Sequence, residues 1–425
     1  MSLISSLYAG QTGLDTSSTE LQVIGDNIAN SNTIGFKQSR AAFEDLLAQN
    51  MIGGSNVGGG LGSRLQSVQQ LLTQGSITNT GNATDLALQG NGFFVVKGPA
   101  GEYLTRNGQF TEDKSGNLVN LDGMDVQGFT ADATGKLSGT MGNLNVGNAT
   151  SLPNPTSNVT LKANLQEDAT VPAAWDPANA AATSNFSAST QVYDAAGKEH
   201  ESQVYFRKSG SGTWEWHAMT DGGGVAGGTA GTPSEIGAGT LTFDSSGKLS
   251  AETQASSFTP AGSTAAQPIN FNFGDPTGTA GGTGVAGITQ FASASAISFA
   301  SQDGFGAGDL SGIAVDATGT VTGTFTNGES RTLGAVAVAT VPAPDQLQRQ
   351  SGNLYQITPG AGQMSVGVAG EGGRGSVVAG ALEQSNVDLA GQFVEMISAQ
   401  RNFQANSRTV TTADSLLQEL MQMKR

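Results

Sequence analysis

Proline, the strongest helix breaker, is absent from both ends of this 425-residue chain, because its twelve copies all lie between Pro99 and Pro359. From Gln392 to Arg425 there is no glycine either. Near the C-terminus apolar residues recur every seven positions, forming a heptad row of Leu389, Met396, Phe403, Val410 and Leu417. A companion row, three positions further on, contains Ala399, Ala413 and Leu420 and is interrupted by Gln392 and Asn406. The pattern predicts a C-terminal helix of about 35 residues, roughly 50 Å long, with a seam for another helix.

A weaker stripe with the same period marks the N-terminus. Its heptad row is Leu7, Leu14, Leu21 and Ile28, and its companion row, with Leu3 and Ile24, is interrupted by Gly10 and Ser17. Each glycine in such a helix costs up to about 1 kcal/mol relative to alanine, so the helix should be marginal alone. Two narrow-striped helices would need their seams to meet each other or neighbouring copies. The residues leave open the alternative of two ordinary amphipathic helices packed on one core.

Between the ends the chain has the pattern of β-structure. Alternating runs predict strands at 203–207, 213–217 and 334–339. Five phrases place an Asp and then a Gly between two strand-like segments, at 110–118, 132–137, 193–198, 243–249 and 315–321. Asp supplies an acceptor within its own turn and Gly supplies positive φ, so these phrases predict hairpins of antiparallel sandwich or barrel modules. No such turn closes with the acidic residue that a calcium loop needs.

Local composition gives two further predictions for the central region. Segments 221–240 and 275–287 are dense in Gly, Thr and Ala and predict long surface loops. Trp175, Trp214 and Trp216 are expected to pack in a core or on hairpins.

Several function classes are disfavoured by composition. With no cysteine and only His200 and His217, the chain has no thiol chemistry and little for imidazole ligation, so no metal or cofactor is expected. A net charge of -16 argues against nucleic acid as a partner. Glu199 and Glu201 are a nominal carboxylate pair for glycoside hydrolysis, but they would share one strand face without an identifiable pocket. We therefore expect no enzymatic activity.

The ends of the chain carry no membrane or secretion signal that can be recognised. No apolar run approaches the ~18 residues of a membrane span. The first residues have no basic region before an apolar core, so a cleaved signal peptide is not predicted. An external protein of this kind would need another export route.

The N-terminal stripe is followed by a polar cluster with a distinctive spacing. The cluster would end the helix, and Gly35 would allow a turn anchored by Phe36. Its motif residues are Asn27, Ala29, Asn30, Thr33, Gly35, Phe36 and Lys37. This sequence resembles the signature of the bacterial flagellar rod and hook axial proteins, where it follows a terminal helix in the same way.

The resemblance continues in the order that this family has. Segments 86–96, 103–110, 116–120 and 126–128 are similar to its first β module, and 382–389 and 396–406 to its C-terminal helix. It covers roughly residues 1–145 and 287–425. Rod members are generally shorter, so the insertion at 146–286 indicates a hook member.

The resemblance implies a mixed fold, with long, coiled-coil-like α-helices at both termini and mainly antiparallel β domains between them. The expected organisation is a terminal helical core, a flexible connector, a discontinuous β domain and an inserted outer β domain. Their boundaries are, in that order, 1–30 plus 385–425, 31–70 plus 362–384, 71–145 plus 287–361, and 146–286.

The same resemblance implies a structural subunit that polymerises into a curved hollow tube and acts as a universal joint, transmitting motor torque to a filament. The implied partners are other copies of the chain, the distal rod, hook cap and hook–filament junction proteins, and the flagellar type III export apparatus. The implied location is extracellular, in the flagellum. The expected assembly interface comprises Leu3, Leu7, Leu14, Leu21, Ile24, Ile28, Leu389, Met396, Phe403, Val410, Leu417 and Leu420. A secreted β-rich adhesin or binding module is the alternative, although it would not explain the paired terminal stripes.

Overall fold

A computed structural model describes residues 3–47 and 60–423, with the side chains of 6–46, 62–419 and 421–423. The side chains of the predicted interface residues Leu3 and Leu420 lie outside this description. The chain forms two compact units. Unit 1 comprises 1–149, 311–324 and 330–425 in its described parts, and unit 2 comprises 150–310 and 325–329.

Two long helices open and close the described chain and confirm the predicted terminal helices. Helix α1 spans Leu3–Ala29 and helix α2 spans Leu389–Met423, with 27 and 35 residues. They lie against each other within unit 1. Neither is long and apolar enough to cross a membrane, and the described residues contain no other candidate span.

The remaining elements of unit 1 are short strands from both halves of the chain. In chain order they are β1 (Ser39–Leu47), β2 (Gly60–Gln70), β3 (Ile77–Asn79), β4 (Leu86–Gln89), β5 (Phe93–Gly98), β6 (Gly101–Thr105), β7 (Phe110–Glu112), β8 (Leu118–Asn120), β9 (Asp125–Ala131), β10 (Leu137–Asn143), β22 (Thr320–Phe325), β23 (Ser330–Val336), β24 (Val338–Thr340), β25 (Gln348–Gln350), β26 (Leu354–Gln356), β27 (Ser365–Gly367), β28 (Ser376–Ala379) and β29 (Ala381–Glu383). The order β22-β23-β9-β5-β6-β26-β25 forms an antiparallel sheet. The pairs β28-β4 and β29-β3 join the segment before α2 to residues near position 80.

Unit 2 is built from strands β11 (Thr150–Ser151), β12 (Asn158–Gln166), β13 (Phe186–Tyr193), β14 (Glu199–Gly210), β15 (Thr213–Asp221), β16 (Pro233–Phe243), β17 (Leu249–Ser256), β18 (Asn270–Asn272), β19 (Thr289–Phe291) and β20 (Ala296–Gln302), and β21 (Gly308–Val315) contains its boundary with unit 1. Strands β13 to β17 form an antiparallel sheet in sequence order. Strand β12 pairs in parallel with β18 and β19 and antiparallel with β20. Trp214 and Trp216 are fully buried in the core of this unit, as predicted, whereas Trp175 stacks on His217.

The five Asp–Gly turns confirm the hairpin prediction. In each turn an Asp Oδ1 accepts from backbone N–H groups two and four residues later, at 2.8–3.0 Å. The glycines at 116, 135, 197, 247 and 319 have φ between +76° and +81°. Local chemistry alone therefore determines these turns.

Two local predictions were wrong. The segment 221–240 is not wholly a loop, because β16 begins at Pro233 and pairs with β15 and β17. The run 334–339 is not one strand, because β23 pairs with β9 and β22 while β24 pairs with β5 and β27. Residues 333–339 are all buried, so alternation did not mark a solvent face there.

The predicted connector contains regular structure that the sequence pattern did not indicate. Strands β1 and β2 form an antiparallel hairpin that packs against α1. A methyl group added at Gly62 of β2 would overlap the Thr12 side chain. Flexibility of this segment stays a prediction.

Candidate assembly interface

The two terminal helices meet through their companion rows. In α1 the buried positions are Gly10, Ser17 and Ile24 of this row and Asn27, and in α2 they are Gln392, Ala399 and Ala413. The polar and small residues that appeared to interrupt the sequence pattern therefore form the helix–helix contact. Small side chains allow closer approach of two helix backbones than large apolar ones do.

Glycines in α1 lie at the closest approach. A methyl group added at Gly10 would lie 2.8 Å from Cγ2 of Val410, and one at Gly13 would lie 2.5 Å from Nδ2 of Asn406. Gly25, by contrast, has no neighbouring atom within 4 Å of such a group. The glycines at 10 and 13 weaken the isolated helix but permit the packing of the pair.

Apart from Val410, which meets Gly10, the heptad-row residues flank this contact rather than form its centre. Leu7, Leu14, Leu21 and Ile28 of α1 are half-buried, as are Met396, Val410 and Leu417 of α2. Leu389 and Phe403 are exposed by 41% and 39%. Only Ile24 among the predicted residues with described side chains is fully buried.

Further apolar side chains of unit 1 face solvent. On α2 they are Phe393, Val394 and Ile397, each at least half exposed. On the β1–β2 hairpin Phe43 of β1 lies opposite Leu65 of β2. Ala41, two residues before Phe43 on β1, lies opposite Val68 of β2. These three large side chains are exposed by 36–46%. These apolar side chains on α2 and on the hairpin are candidate contact sites for other chains.

The motif at 27–37 connects α1 to the rest of unit 1. Asn27 is buried, its Nδ2 donates to the Ser39 carbonyl oxygen at 2.8 Å, and its Oδ1 accepts from the Ser39 N–H at 2.9 Å. The same Nδ2 donates to Oε1 of Gln392 at 2.9 Å. Asn30 donates to Asp26 and Thr33 donates to Asn30, while Ala29 is exposed at the helix end.

The second half of the motif is tightly enclosed. Gly35 has φ +70°, and a methyl group there would lie 2.7 Å from the carbonyl carbon of Arg106. Phe36 is buried under the guanidinium of Arg349, which lies 4.6 Å from the ring centroid and pairs with Asp26 at 3.0 Å. The motif therefore has an architectural role within the subunit.

Lys37, Arg106 and Glu383 form a buried ionic hub. Oε1 of Glu383 accepts from Nζ of Lys37 at 2.6 Å and from the Gly75 N–H at 2.9 Å, and Oε2 accepts from Nη1 of Arg106 at 3.2 Å. Lys37 also donates to the Thr73 carbonyl oxygen at 2.8 Å. Lys37 and Glu383 belong to separate segments of the family resemblance, and no sequence pattern relates them. The only sequence signal for this contact was a carboxylate shortly before the C-terminal helix and a lysine shortly after the N-terminal helix.

Burial dominates the electrostatics of the hub. It lowers the pKa of Lys37 and of Arg106, and the neighbouring Glu383 carboxylate only partly offsets this. Nearby, burial raises the pKa of Tyr355 to about 12. Because the hub contains two cations and one anion, Glu383 is the charge that makes burial of both cations tolerable.

The described residues do not assemble a reactive centre at the sites considered from sequence. Glu199 and Glu201 lie side by side on the exposed face of β14 and line an open groove. His200 contacts Asp194 and His217 contacts Glu235, at 3.1 and 2.6 Å. Within residues 3–47 and 60–423 no group of three His, Asp or Glu side chains could hold a metal ion.

Four family models match successive parts of the chain. They are the flagella basal body rod protein at 7–37, the flagellar hook protein FlgE/F/G D1 domain at 87–172, the flagellar basal body protein FlaE D2 domain at 160–305, and the flagellar basal body rod FlgEFG protein C-terminal region at 378–423. A crystal structure of a Helicobacter pylori flagellar hook protein, FlgE2, aligns with a TM-score of 0.48 and 15% identity, over 72% of this chain and 100% of that one.

Curated relatives match over nearly the whole chain. The flagellar hook protein FlgE of Escherichia coli is 32% identical over 97% of this chain and 98% of its own length. The Borreliella burgdorferi protein of the same name is 34% identical over 99% and 100%, and that of Salmonella typhimurium is 33% identical over 97% and 98%. With this identity across the full length of its relatives, the chain belongs to the flagellar hook protein FlgE family.

Proposed function

We propose that this chain, a structural subunit of the bacterial flagellar hook, assembles through its terminal helices into a curved hollow helical tube. Membership of the hook family supports the structural role and the flagellar location. It also favours the absence of enzymatic activity. The tube would act as a universal joint that transmits motor torque while bending.

The observation that carries the proposal is the apolar surface left exposed by the α1–α2 pair. The buried companion-row residues and Val410 are used within the subunit, so the exposed parts of the other heptad-row residues and the neighbouring Phe393, Val394 and Ile397 are available to other copies. Covering this surface would stabilise the polymer through apolar burial. Head-to-tail contacts that do not close a ring produce an open helical polymer.

The proposed seam between copies is coiled-coil-like and contains the interface residues predicted from sequence. On α1 these are Leu3, Leu7, Leu14, Leu21 and Ile28, and on α2 they are Leu389, Met396, Phe403, Val410, Leu417 and Leu420. The remaining predicted residue, Ile24, is left out of this seam because it is buried within the subunit. The exposed hairpin face of Phe43, Leu65 and Val68 provides a second contact of the same apolar kind.

We also propose the four-part organisation given by the sequence, with the helical core lining the tube and the β domains outside it. The compactness of unit 2 and the D2 family match at 160–305 support an inserted outer domain that begins near 146. Unit 2 continues to residue 310, and both it and the family match extend past the proposed end at 286. Neighbouring outer domains would slide on polar, wet surfaces during bending. The proposed partners are the distal rod, cap and junction proteins, with extracellular delivery by the flagellar type III exporter.

Electron microscopy in a salting-out buffer tests the assembly, because such salts strengthen apolar burial. The intact chain should form tubes, and a version lacking both terminal segments should not. Phe403→Asp places a charge on the exposed seam and should abolish tubes, whereas the adjacent exposed Gln404→Asp adds the same charge and should preserve them. Normal tubes from Phe403→Asp would contradict the proposed seam.

A further inference from the structure

One buried carboxylate connects the segment that follows α1, here called the N-terminal path, with the segment that leads into α2, here called the C-terminal path. Lys37 lies eight residues after the end of α1 at Ala29, and Glu383 lies six residues before the start of α2 at Leu389. The two side chains meet at 2.6 Å and are both fully buried. In addition, the backbone oxygen of Glu383 accepts from the N–H of Gly35 at 2.8 Å.

Arg106 joins this junction to the β-sheet part of unit 1. It follows β6 directly, and besides Glu383 it donates to the carbonyl oxygens of Leu88 and Gly90 at 3.3 and 2.6 Å. These carbonyls lie on or next to β4. The Glu383 carboxylate is therefore shared by the N-terminal path, the C-terminal path and the sheet.

The backbone segments around the carboxylate pack closely against one another. A methyl group at Gly35 would lie 2.7 Å from the Arg106 backbone, and one at Gly75 would overlap the carbonyl oxygen of Gln384. Close packing of backbones on both sides allows few arrangements of the two connecting paths.

Two amides extend the same connection towards the helices. Asn386 accepts from the N–H of Gln38 at 2.7 Å and donates to the carbonyl oxygen of Leu71 at 2.7 Å. Gln392, on the first turn of α2, accepts from Asn27 on the last turns of α1. At residues 383, 386 and 392 the C-terminal path is thus bonded to the N-terminal path, and only the first of these bonds is ionic.

We propose that Glu383 is a positioning residue for assembly: through Lys37 and Arg106 it sets the orientation in which the α1–α2 pair leaves the β-sheet part of unit 1. This proposal rests on the proposed function, because the orientation decides where the exposed helix surface meets a neighbouring copy. The role requires the negative charge as well as the shape of the side chain, since two buried cations depend on it.

Distance measurement on the full-length chain tests the orientation directly. The natural sequence has no cysteine, so Leu121→Cys in the sheet part and Gln400→Cys on α2 allow two spin labels at exposed positions. In this background we expect a single narrow distance distribution for the monomer. Glu383→Gln should broaden or shift it and should abolish tubes or change their twist and curvature.

The matched control is Leu382→Ala, which removes buried apolar contacts at the neighbouring position of β29 without touching the hub charges. Both variants are compared under conditions where the same fraction is folded. We expect Leu382→Ala to keep the narrow distribution and normal tubes. Equal behaviour of the two variants, or an unchanged distribution in Glu383→Gln, would overturn the proposal.

Glu383→Asp covers the case in which Glu383→Gln does not fold. This variant keeps the negative charge on a side chain that is one methylene shorter. Its distance distribution should therefore be broader than that of the parent but narrower than that of a variant whose helix pair has no fixed orientation. A parent-like distribution would count against the proposal. If the parent forms no tubes in the salting-out buffer, the proposed function fails, while the distances still decide whether Glu383 orients the helices.

Discussion

The Nδ2 of Asn27, near the end of α1, donates a 2.9 Å hydrogen bond to Oε1 of Gln392 in the first turn of α2. Both side chains are almost completely buried. Gln392 in turn donates to Glu395 at 2.8 Å, and Asn27 binds both backbone polar groups of Ser39. A pair of polar residues 365 positions apart therefore fastens the two helix ends together.

Asn27→Ala should destabilise this junction. It leaves the buried N–H and carbonyl oxygen of Ser39 and the amide oxygen of Gln392 without their partner, at a cost of about 1–3 kcal/mol. Hydrogen exchange of the amides near Ser39 and in the last turn of α1 measures the effect. The matched control is Asn30→Ala, which loses exposed bonds to Asp26 and one partly buried bond from the Thr33 hydroxyl and should change exchange less. Equal protection in Asn27→Ala and the parent would contradict the role assigned to Asn27.

Two glycines of α1 should respond oppositely to substitution. Gly10→Val puts a branched side chain against Val410, so overpacking should cost about 1–3 kcal/mol and separate the helices. Gly25→Ala meets open space and should stabilise α1 by up to about 1 kcal/mol. Thermal unfolding followed by far-UV circular dichroism measures both changes. A stabilising Gly10→Val would show that the helices do not pack at this position.

Arg349 should stabilise the motif through two contacts that can be separated. Arg349→Met removes the ion pair with Asp26 and the cation–π contact with Phe36, and we expect a loss of about 1–2 kcal/mol. Asp26→Asn removes only the half-exposed ion pair and should cost less than about 1 kcal/mol. A double-mutant cycle by urea unfolding separates the terms. If the two single variants lose the same free energy of unfolding, the contact between Arg349 and the Phe36 ring contributes nothing to stability.

Unit 2 should lose stability in acid through Asp194. Burial raises the pKa of Asp194, but bonds from His200 and from the N–H groups of Lys198 and Ala196 outweigh it and hold the pKa below its usual range. The folded-state pKa is thus below the unfolded value of about 3.9. The stabilisation is present above that value and is lost as pH falls through the folded-state pKa.

Tryptophan fluorescence measures this loss, because all three tryptophans lie in unit 2 and Trp214 and Trp216 occupy its core. Asp194→Asn should lower stability at neutral pH and flatten the fall below about pH 4. Asp168→Asn, at an exposed position, should follow the parent curve. A parent-like acid transition in Asp194→Asn would assign the pH dependence to other carboxylates.

The two helices show which structural features a local sequence pattern can predict. The absence of proline and the seven-residue recurrence predicted both helices, because helix formation depends on residues within a few positions of each other. The pattern did not indicate which row is buried. The count of apolar residues favoured Leu389 and Phe403 as contact residues. The closest approach instead lies at Gly10 and Gly13, because close approach of two backbones favours small side chains.

Local sequence accounts for the terminal helices, the five Asp–Gly turns and the family signature, since each depends on chemistry within a short stretch of chain. Tertiary packing accounts for the buried helix faces, the β1–β2 hairpin and the hub of Lys37, Arg106 and Glu383. The hub joins side chains up to 346 positions apart. Such a contact follows from how the strands pair and how close the backbones come, and no local spacing encodes it.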